Sequence, residues 1–253
     1  MVGSNAQKTI SAVETSFEIL DALNELEPAG VSAIAEQTDI STSTVFTHLN
    51  TLLTQGYLVK EGSQYRRSLR FLTDGGAIRQ RFEAAQLLEE KVSELADITG
   101  EIAGAAVEER GYRIILSRSA GEMAAGDEIT IGNHTQMHWT SLGKALLAHL
   151  SSTKRSKIID HHGLPRGTDR TFTDRAELEN ELRKIRQQGY AIDDEEHLRG
   201  VRGIAVPILD DEQNIIASIG ITGPRSRFQS SYLANLLDAL EYVKNEIEVR
   251  TQY

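Results

Sequence analysis

The stretch STSTVFTHLNTLLTQGYLVKEGSQYRR, residues 41–67, decides how the first third of the chain folds. Val45, Leu49, Leu52 and Leu53 fall at i, i+4, i+7 and i+8, the spacing of one buried helix face. Ser41 stands where an N-cap is needed, because the first-turn N–H groups of a helix have no partner within it. Ser43, Thr44, Thr47, Asn50 and Thr51 point largely the other way, with His48 on the flank. Gln55-Gly56 stops the helix. Two strand-like segments, 57–60 and 64–68, flank the turn Glu61-Gly62-Ser63.

Upstream, residues 11–26 read as a helix. Ser11 and Glu14 have the spacing of a capping box, and Val13, Phe17, Leu20 and Leu23 recur on one face. Glu27-Pro28-Ala29-Gly30 ends it. A short helix over 32–38 follows, with Ile34 and Ala35 inward, and Asp39-Ile40 makes a tight corner. Three helices and a hairpin in this order predict a winged helix-turn-helix. The outer face of its third helix is small, uncharged and rich in donors and acceptors, which suits base edges in a major groove. Ser41, Ser43, Thr44, Thr47 and His48 are the candidate contacts there. Lys60, Arg66 and Arg67 of the hairpin are candidates for phosphates. A polar helix face is more often simply solvated, so each residue alone says little; the ordered arrangement carries the reading. The alternative is a winged helix that binds a partner protein without direct DNA readout.

Charge bears on that choice. The 253 residues carry a net charge of −10, which by itself argues against nucleic acid. The distribution is uneven. Residues 1–40 hold Lys8 against seven carboxylates, whereas residues 41–70 hold Lys60, Arg66, Arg67 and Arg70 against Glu61. Only eight of the 27 basic residues are lysine. Adaptation to concentrated salt or plain compositional drift would each give such an acidic, lysine-poor surface. The chain has no cysteine, which removes disulfides, thiol catalysis and cysteine metal sites. No apolar run approaches the length of a membrane span and no signal peptide is evident, so a soluble cytoplasmic protein is expected.

Residues 69–96 read as mostly helical with an interruption at Gly75-Gly76. Leu87, Leu88, Val92 and Leu95 line one face, a pattern that suits a linker helix pairing in a dimer. Beyond it, strands are expected at 102–107, 112–117, 128–131, 190–193, 201–209 and 215–222. Helices are expected at 141–150, at 174–188 after a Thr173 cap and before Gly189, and at 228–250. The predicted class is α+β, with a largely antiparallel sheet flanked by helices.

Four segments, STSTVFTHLNTLLTQGYL, TSLGKALLAHL, GYAIDDEEHLRGVRGIAVPI and ASIGITGP, occur in an order that resembles the IclR family of transcriptional regulators. The resemblance implies a winged helix-turn-helix over 1–69, a linker helix over 70–96 and a GAF-like effector-binding domain over 97–253. It implies a homodimer or tetramer that binds double-stranded DNA and responds to a small organic molecule, often an acid. The acidic, arginine-rich composition points to a haloarchaeal member. Family ligand contacts carried over by position fall on Ser141, Leu142, Asp193, Val201, Gly203, Gly220 and Thr222. The N-terminus of the 141–150 helix would hold negative charge, and Asp193 would orient a ligand hydroxyl or pair with Arg202. The chain departs from the family pattern at Tyr65-Arg66-Arg67-Ser68-Leu69, at Trp139, which would fill part of the pocket, and at Gly203, where many members carry Cys.

No enzyme is expected. His138, Ser141, Lys144 and Asp193 could be drawn as a nucleophile with a base, but no G-x-S-x-G elbow surrounds Ser141, and Lys144 reads as a helix-surface charge. His134, His138, His161, His162 and His197 lack a metal-ligand spacing on one helix, with His161-His162 placed in a loop. No cofactor is expected, because no phosphate-binding glycine motif occurs.

Overall fold

The computed structural model describes residues 8–125 and 129–251, and the chain divides after Arg81 into two compact units. The first contains α1 (Ser11–Leu26), β1 (Ala29–Gly30), α2 (Val31–Thr38), α3 (Thr42–Thr54), β2 (Leu58–Glu61), β3 (Gln64–Arg67) and α4 (Arg70–Arg79). The strands form an antiparallel sheet in the order β1-β3-β2, with Lys60 opposite Tyr65. Ile19, Leu23, Ile34, Val45, Leu49, Leu58 and Tyr65 are buried together. This is the winged helix-turn-helix, with Asp39 in the left-handed region at the α2 corner.

Three local expectations need correction. Ser11 lies inside α1, whose N-cap is Ile10 with no side-chain bond, so no capping box forms. The inward face of α1 is set by Ile19, Ala22 and Leu23, while Val13 and Phe17 stay 48% and 62% exposed. The chain also does not break at Gly75-Gly76. α4 runs through both glycines, and the helix is interrupted at residues 80–84. α4 buries none of its residues.

The second unit contains α5 (Ala85–Thr99), β4 (Ile102–Glu109), β5 (Tyr112–Ala120), β6 (His134–Gln136), a 3-10 turn (Met137–Trp139) and α6 (Ser141–His149). It continues with α7 (Ser152–His162), α8 (Arg175–Gln188), β7 (Ala191–Asp194), β8 (Val201–Leu209), β9 (Ile215–Pro224) and α9 (Ser230–Thr251). Six antiparallel strands run in the order β6-β5-β4-β9-β8-β7. Each face of the sheet carries a core. On one, Leu88, Val92 and Leu95 of α5 and Leu236, Leu240 and Val243 of α9 cover Ala103, Ala105, Leu116 and Ile219. On the other, α6, α7 and α8 cover Ala106, Ile115 and Ala205. The apolar stripe expected to pair in a dimer is therefore consumed by its own sheet.

A β-bulge decides what the second face presents. Ala105 pairs with Ser117 and Ala106 with Ile115, so Leu116 is an extra residue in β5. Strict alternation would put Arg113 and Arg118 on opposite faces. Leu116 stays in the α5–α9 core with Ile114, and the extra residue reverses the direction of those that follow it, turning Ser117 opposite Ala105 and Arg118 onto the face of Arg113 and Ile115.

Elsewhere the order of elements holds, with four local changes. Of the strand expected at 128–131, Glu128 lies outside the described residues, and Ile129, Thr130 and Ile131 run as loop and turn. The strand in that region is β6, paired to residues 112–114 of β5. Asp174 rather than Thr173 caps α8, accepting the N–H groups of Ala176 and Glu177. α7, capped by Ser151, was not anticipated. His161-His162 ends that helix instead of a loop, and the His162 ring meets the Tyr112 ring at 4.5 Å and the Arg110 carbonyl at 2.9 Å.

Candidate functional site

α3 begins with a cluster of hydroxyls. Ser41 Oγ accepts the Thr44 N–H at 3.3 Å and lies 3.1 Å from Ser43 Oγ and 2.8 Å from Thr44 Oγ1. Thr47 is exposed, and its hydroxyl donates to the Ser43 carbonyl at 2.9 Å. His48 is already engaged, with Nδ1 2.8 Å from Ser16 Oγ of α1. On the hairpin, the Lys60 ammonium sits 5.1 Å from the centre of the Tyr65 ring. Arg66 donates to Glu61 Oε1 at 2.9–3.0 Å within the same hairpin. Arg67 reaches across to the end of α1, where its backbone and side chain donate to Glu27 at 2.9 Å and to Asn24 at 2.5 Å. The three wing cations are thus not equivalent: Arg67 ties the wing to α1, while Arg66 is held by the exposed Glu61 of its own hairpin.

In the second unit, a cavity of about 190 Å³ lies over the α6 face of the sheet. Ser141, Leu142, Asp193, Val201, Gly220 and Thr222 line it, together with Arg113, Arg118 and His197. Thr140 caps α6 by accepting the Gly143 N–H at 3.0 Å, and Ser141 opens the helix beneath the cavity. Gly203 is not part of the wall. A Cβ there would stand 2.8 Å from Ser141 Oγ, so its role is to let α6 sit close on β8. Gly220 does the same against Leu142, and also forms wall. The Thr222 hydroxyl donates to the Arg202 carbonyl at 3.3 Å.

Asp193 does not pair with Arg202. Alternation along β7 turns Asp193 inward, while Asp194 faces out and takes Arg202 at 2.6 Å, Arg225 at 2.9 Å and Arg170 at 2.7 Å. Asp193 Oδ1 accepts the Glu196 N–H at 2.8 Å. Burial, aided by the negative charge of Glu196, pushes its carboxyl up to about 7. Lys144 is not a surface charge. It is fully buried, and its ammonium lies 2.6 Å from Glu196 Oε1 and 5.1 Å from the Phe172 ring centre. Burial also lowers His138, whose Nε2 meets the Pro165 carbonyl at 3.0 Å. Trp139 donates to the same carbonyl and stacks on His197 at 5.6 Å, so it supports the wall rather than forming it.

Arg113, Arg118 and His197 are wall residues that sequence reasoning missed. A bulge is not written in local residue types, so alternation alone assigns Arg118 to the wrong face. Among the described residues, no group of three or more His, Cys, Asp or Glu side chains could hold a metal ion, and no helix is long and apolar enough to cross a membrane.

Both units have counterparts. Residues 12–62 match the IclR helix-turn-helix domain, and residues 78–249 match the model described as bacterial transcriptional regulator IclR C-terminal. The HTH-type transcriptional regulator XynR of Escherichia coli (strain K12) is 28% identical over 92% of this chain and 93% of its own. "Probable HTH-type transcriptional regulator ArcR" of Halobacterium salinarum is 27% identical over 97% of this chain and 95% of its own. An IclR homolog of Microbacterium hydrocarbonoxydans, solved in complex with 4-hydroxybenzoate, superimposes with a TM-score of 0.79. It shares 21% identity, covering 94% of this chain and 98% of that one, which is a likeness of fold. The DNA-reading unit and the effector-binding unit are matched in the same order along nearly the whole chain, and the protein belongs to the IclR family of transcriptional regulators.

Proposed function

We propose that operator binding by this DNA-binding regulator is controlled by a small organic acid held in the α6-side cavity. The observation that carries the reading is the wall itself. Arg113, nearly fully buried, and Arg118 share one face through the β5 bulge, and the opening turn of α6 lies across from them. Arginine forks and a helix N-terminus both favour a carboxylate. Ser141, Leu142, Asp193, Val201, Gly220 and Thr222 serve as the remaining contacts, while Gly203 acts through packing. The 4-hydroxybenzoate held by the Microbacterium homolog is an acid of this class.

On the DNA side, Ser41, Ser43, Thr44 and Thr47 face the major groove. Lys60 and Arg66 meet phosphates, and His48 and Arg67 hold the unit's own geometry. The active form is a homodimer reading two half-sites. Ile10, Val13 and Phe17 of the α1 region, with Leu69, Leu72 and Ile78 around α4, are large apolar side chains left in water, and such patches mark association surfaces. The host cell is haloarchaeal and the protein acts in its cytoplasm, a reading supported by the acidic composition and the Halobacterium relative.

A gel-shift titration against the DNA upstream of the protein's own coding sequence tests this. A panel of aromatic and sugar-derived acids is added, and thermal denaturation is followed in parallel. An acid that shifts both DNA affinity and melting supports the proposal. Binding that persists undiminished at high salt would point instead to a module without phosphate contacts.

A further inference from the structure

We infer that α3 reads A·T base pairs, with Phe46 and the methyl groups of Thr47 and Thr51 against thymine methyls and Asn50 against a neighbouring adenine. The inference rests on the DNA-binding function and specifies the sequence class it selects.

The hydroxyls on the outer face of α3 are already spent. Thr47 Oγ1 donates to the Ser43 carbonyl at 2.9 Å, Thr51 Oγ1 to the Thr47 carbonyl at 3.0 Å, and Thr54 Oγ1 to the Asn50 carbonyl at 2.8 Å. A threonine hydroxyl bonded to the carbonyl four residues back lies against its own helix. Its methyl group is then the part left to meet a partner. Phe46 stands on the same side, 46% exposed and outside the core of its unit. Phe46, Thr47, Asn50, Thr51, Thr54 and Gln55 line one shallow groove. A face that looks polar in sequence is therefore largely apolar in structure.

The amides left on the groove, Asn50 midway along it and Gln55 at its end, are both of the type that reads adenine. The Asn50 amide makes no hydrogen bond to the chain among the described residues and sits between Thr47 and Thr51 on the groove wall. An Asn amide pairs in two places with adenine N6 and N7. α3 carries no Lys or Arg, the side chains that commonly read guanine, and His48 is held by Ser16. Thymine is the base that presents a methyl group in the major groove, and Thr methyls and Phe are its apolar contacts.

The test uses the full chain and duplexes selected from a randomised pool. Each thymine of the selected site is then replaced by deoxyuridine, which lacks only the methyl, and affinity is read by fluorescence anisotropy at fixed salt. The expected site has A·T pairs at its contacted positions. Each contacted thymine should lose about fourfold in affinity on demethylation, the ratio set by burial of one CH₂-sized group. Thr47→Ser and Thr51→Ser keep the hydroxyl bond and remove the methyl, so each should erase the thymine-to-uracil difference at its own position. Asn50→Ala should flatten the preference for adenine and leave the thymine-to-uracil ratio in place.

A selected site bound equally well with uracil throughout, or one defined by guanines, overturns the inference while DNA binding stands. Binding with no sequence preference also overturns it. A pool that yields no bound duplex overturns the DNA-binding reading and this inference together.

Discussion

Lys144 Nζ lies 2.5 Å from Glu196 Oε2, and both side chains are out of water. The pair joins α6 to the segment after β7, and Glu196 in turn gives its N–H to Asp193 in the cavity wall. Taking two charges out of water is expensive, and the pair holds only while both members are present. Lys144→Met should therefore destabilise the second unit by about 3–5 kcal/mol, read from its urea transition. Combining it with Glu196→Leu should recover much of the loss, because the double variant buries no orphan charge. Equal losses in the single and double variants would mean the pair contributes net stability.

Asp193 makes the second unit sensitive to pH. Its folded pKa, about 7, lies above the ordinary aspartate value near 4. The native state therefore binds more protons than the unfolded chain across that window. Stability should be highest below about pH 4 as far as this group is concerned, and should fall as pH rises towards 7, by up to about 1.4 kcal/mol per unit. The facing groups are Glu196, whose negative charge raises Asp193, and Lys144, whose positive charge opposes it. Asp193→Asn keeps an oxygen for the Glu196 N–H and should flatten this part of the profile. Urea midpoints at pH 5, 6, 7 and 8 measure it. An unchanged slope in the variant would assign the titration to Glu196, which burial also raises.

The cationic wall predicts which substitutions silence the effector. Arg118→Gln should weaken binding of an active acid by roughly 10-fold or more, the worth of one charge-assisted hydrogen bond, and leave operator affinity without effector unchanged. Thermal shift against acid concentration reads the first, and gel shift the second. Arg113 is more deeply buried and donates to Thr135 Oγ1 at 2.7–3.1 Å, so Arg113→Gln should lower stability as well as response.

The wing arginines should separate in the same manner. Arg66→Ala removes a residue paired with exposed Glu61, a contact worth about 0–1 kcal/mol. It should weaken all duplexes alike and reduce the slope of log affinity against log salt by about 1. Arg67→Ala breaks the two side-chain bonds to Glu27 and Asn24 at the end of α1 and leaves the backbone N–H on Glu27. Its first effect should be a lower melting temperature of the first unit. Circular dichroism and anisotropy on the same samples distinguish the two.

The fold was legible where local chemistry and burial agree. Val45 and Leu49 face the core of the first unit, Ser41 caps α3, Gly189 closes α8, and β8 runs over the anticipated residues. Sequence reasoning missed where long-range packing overrides pattern. Val13 and Phe17 have helical spacing yet remain in water, because α1 turns Ile19, Ala22 and Leu23 inward. Lys144 has the composition of a surface residue and is buried because Glu196, 52 positions later, meets it. Of the cavity, the α6 start and the β9 wall were legible from family position. Arg113 and Arg118 were not, since their shared direction depends on one extra residue in β5.

That extra residue lets the chamber and the opposite layer of the protein vary independently. Losing Leu116 would leave Arg113 and Arg118 four positions apart, on one face by plain alternation, with Ser117 still opposite Ala105 and Arg118 still opposite Gly104. A single-codon deletion there would thus spare the chamber's cations and cost the α5–α9 layer one buried leucine, whereas a lineage that changes its diet from anions to neutral molecules has to replace each cation separately.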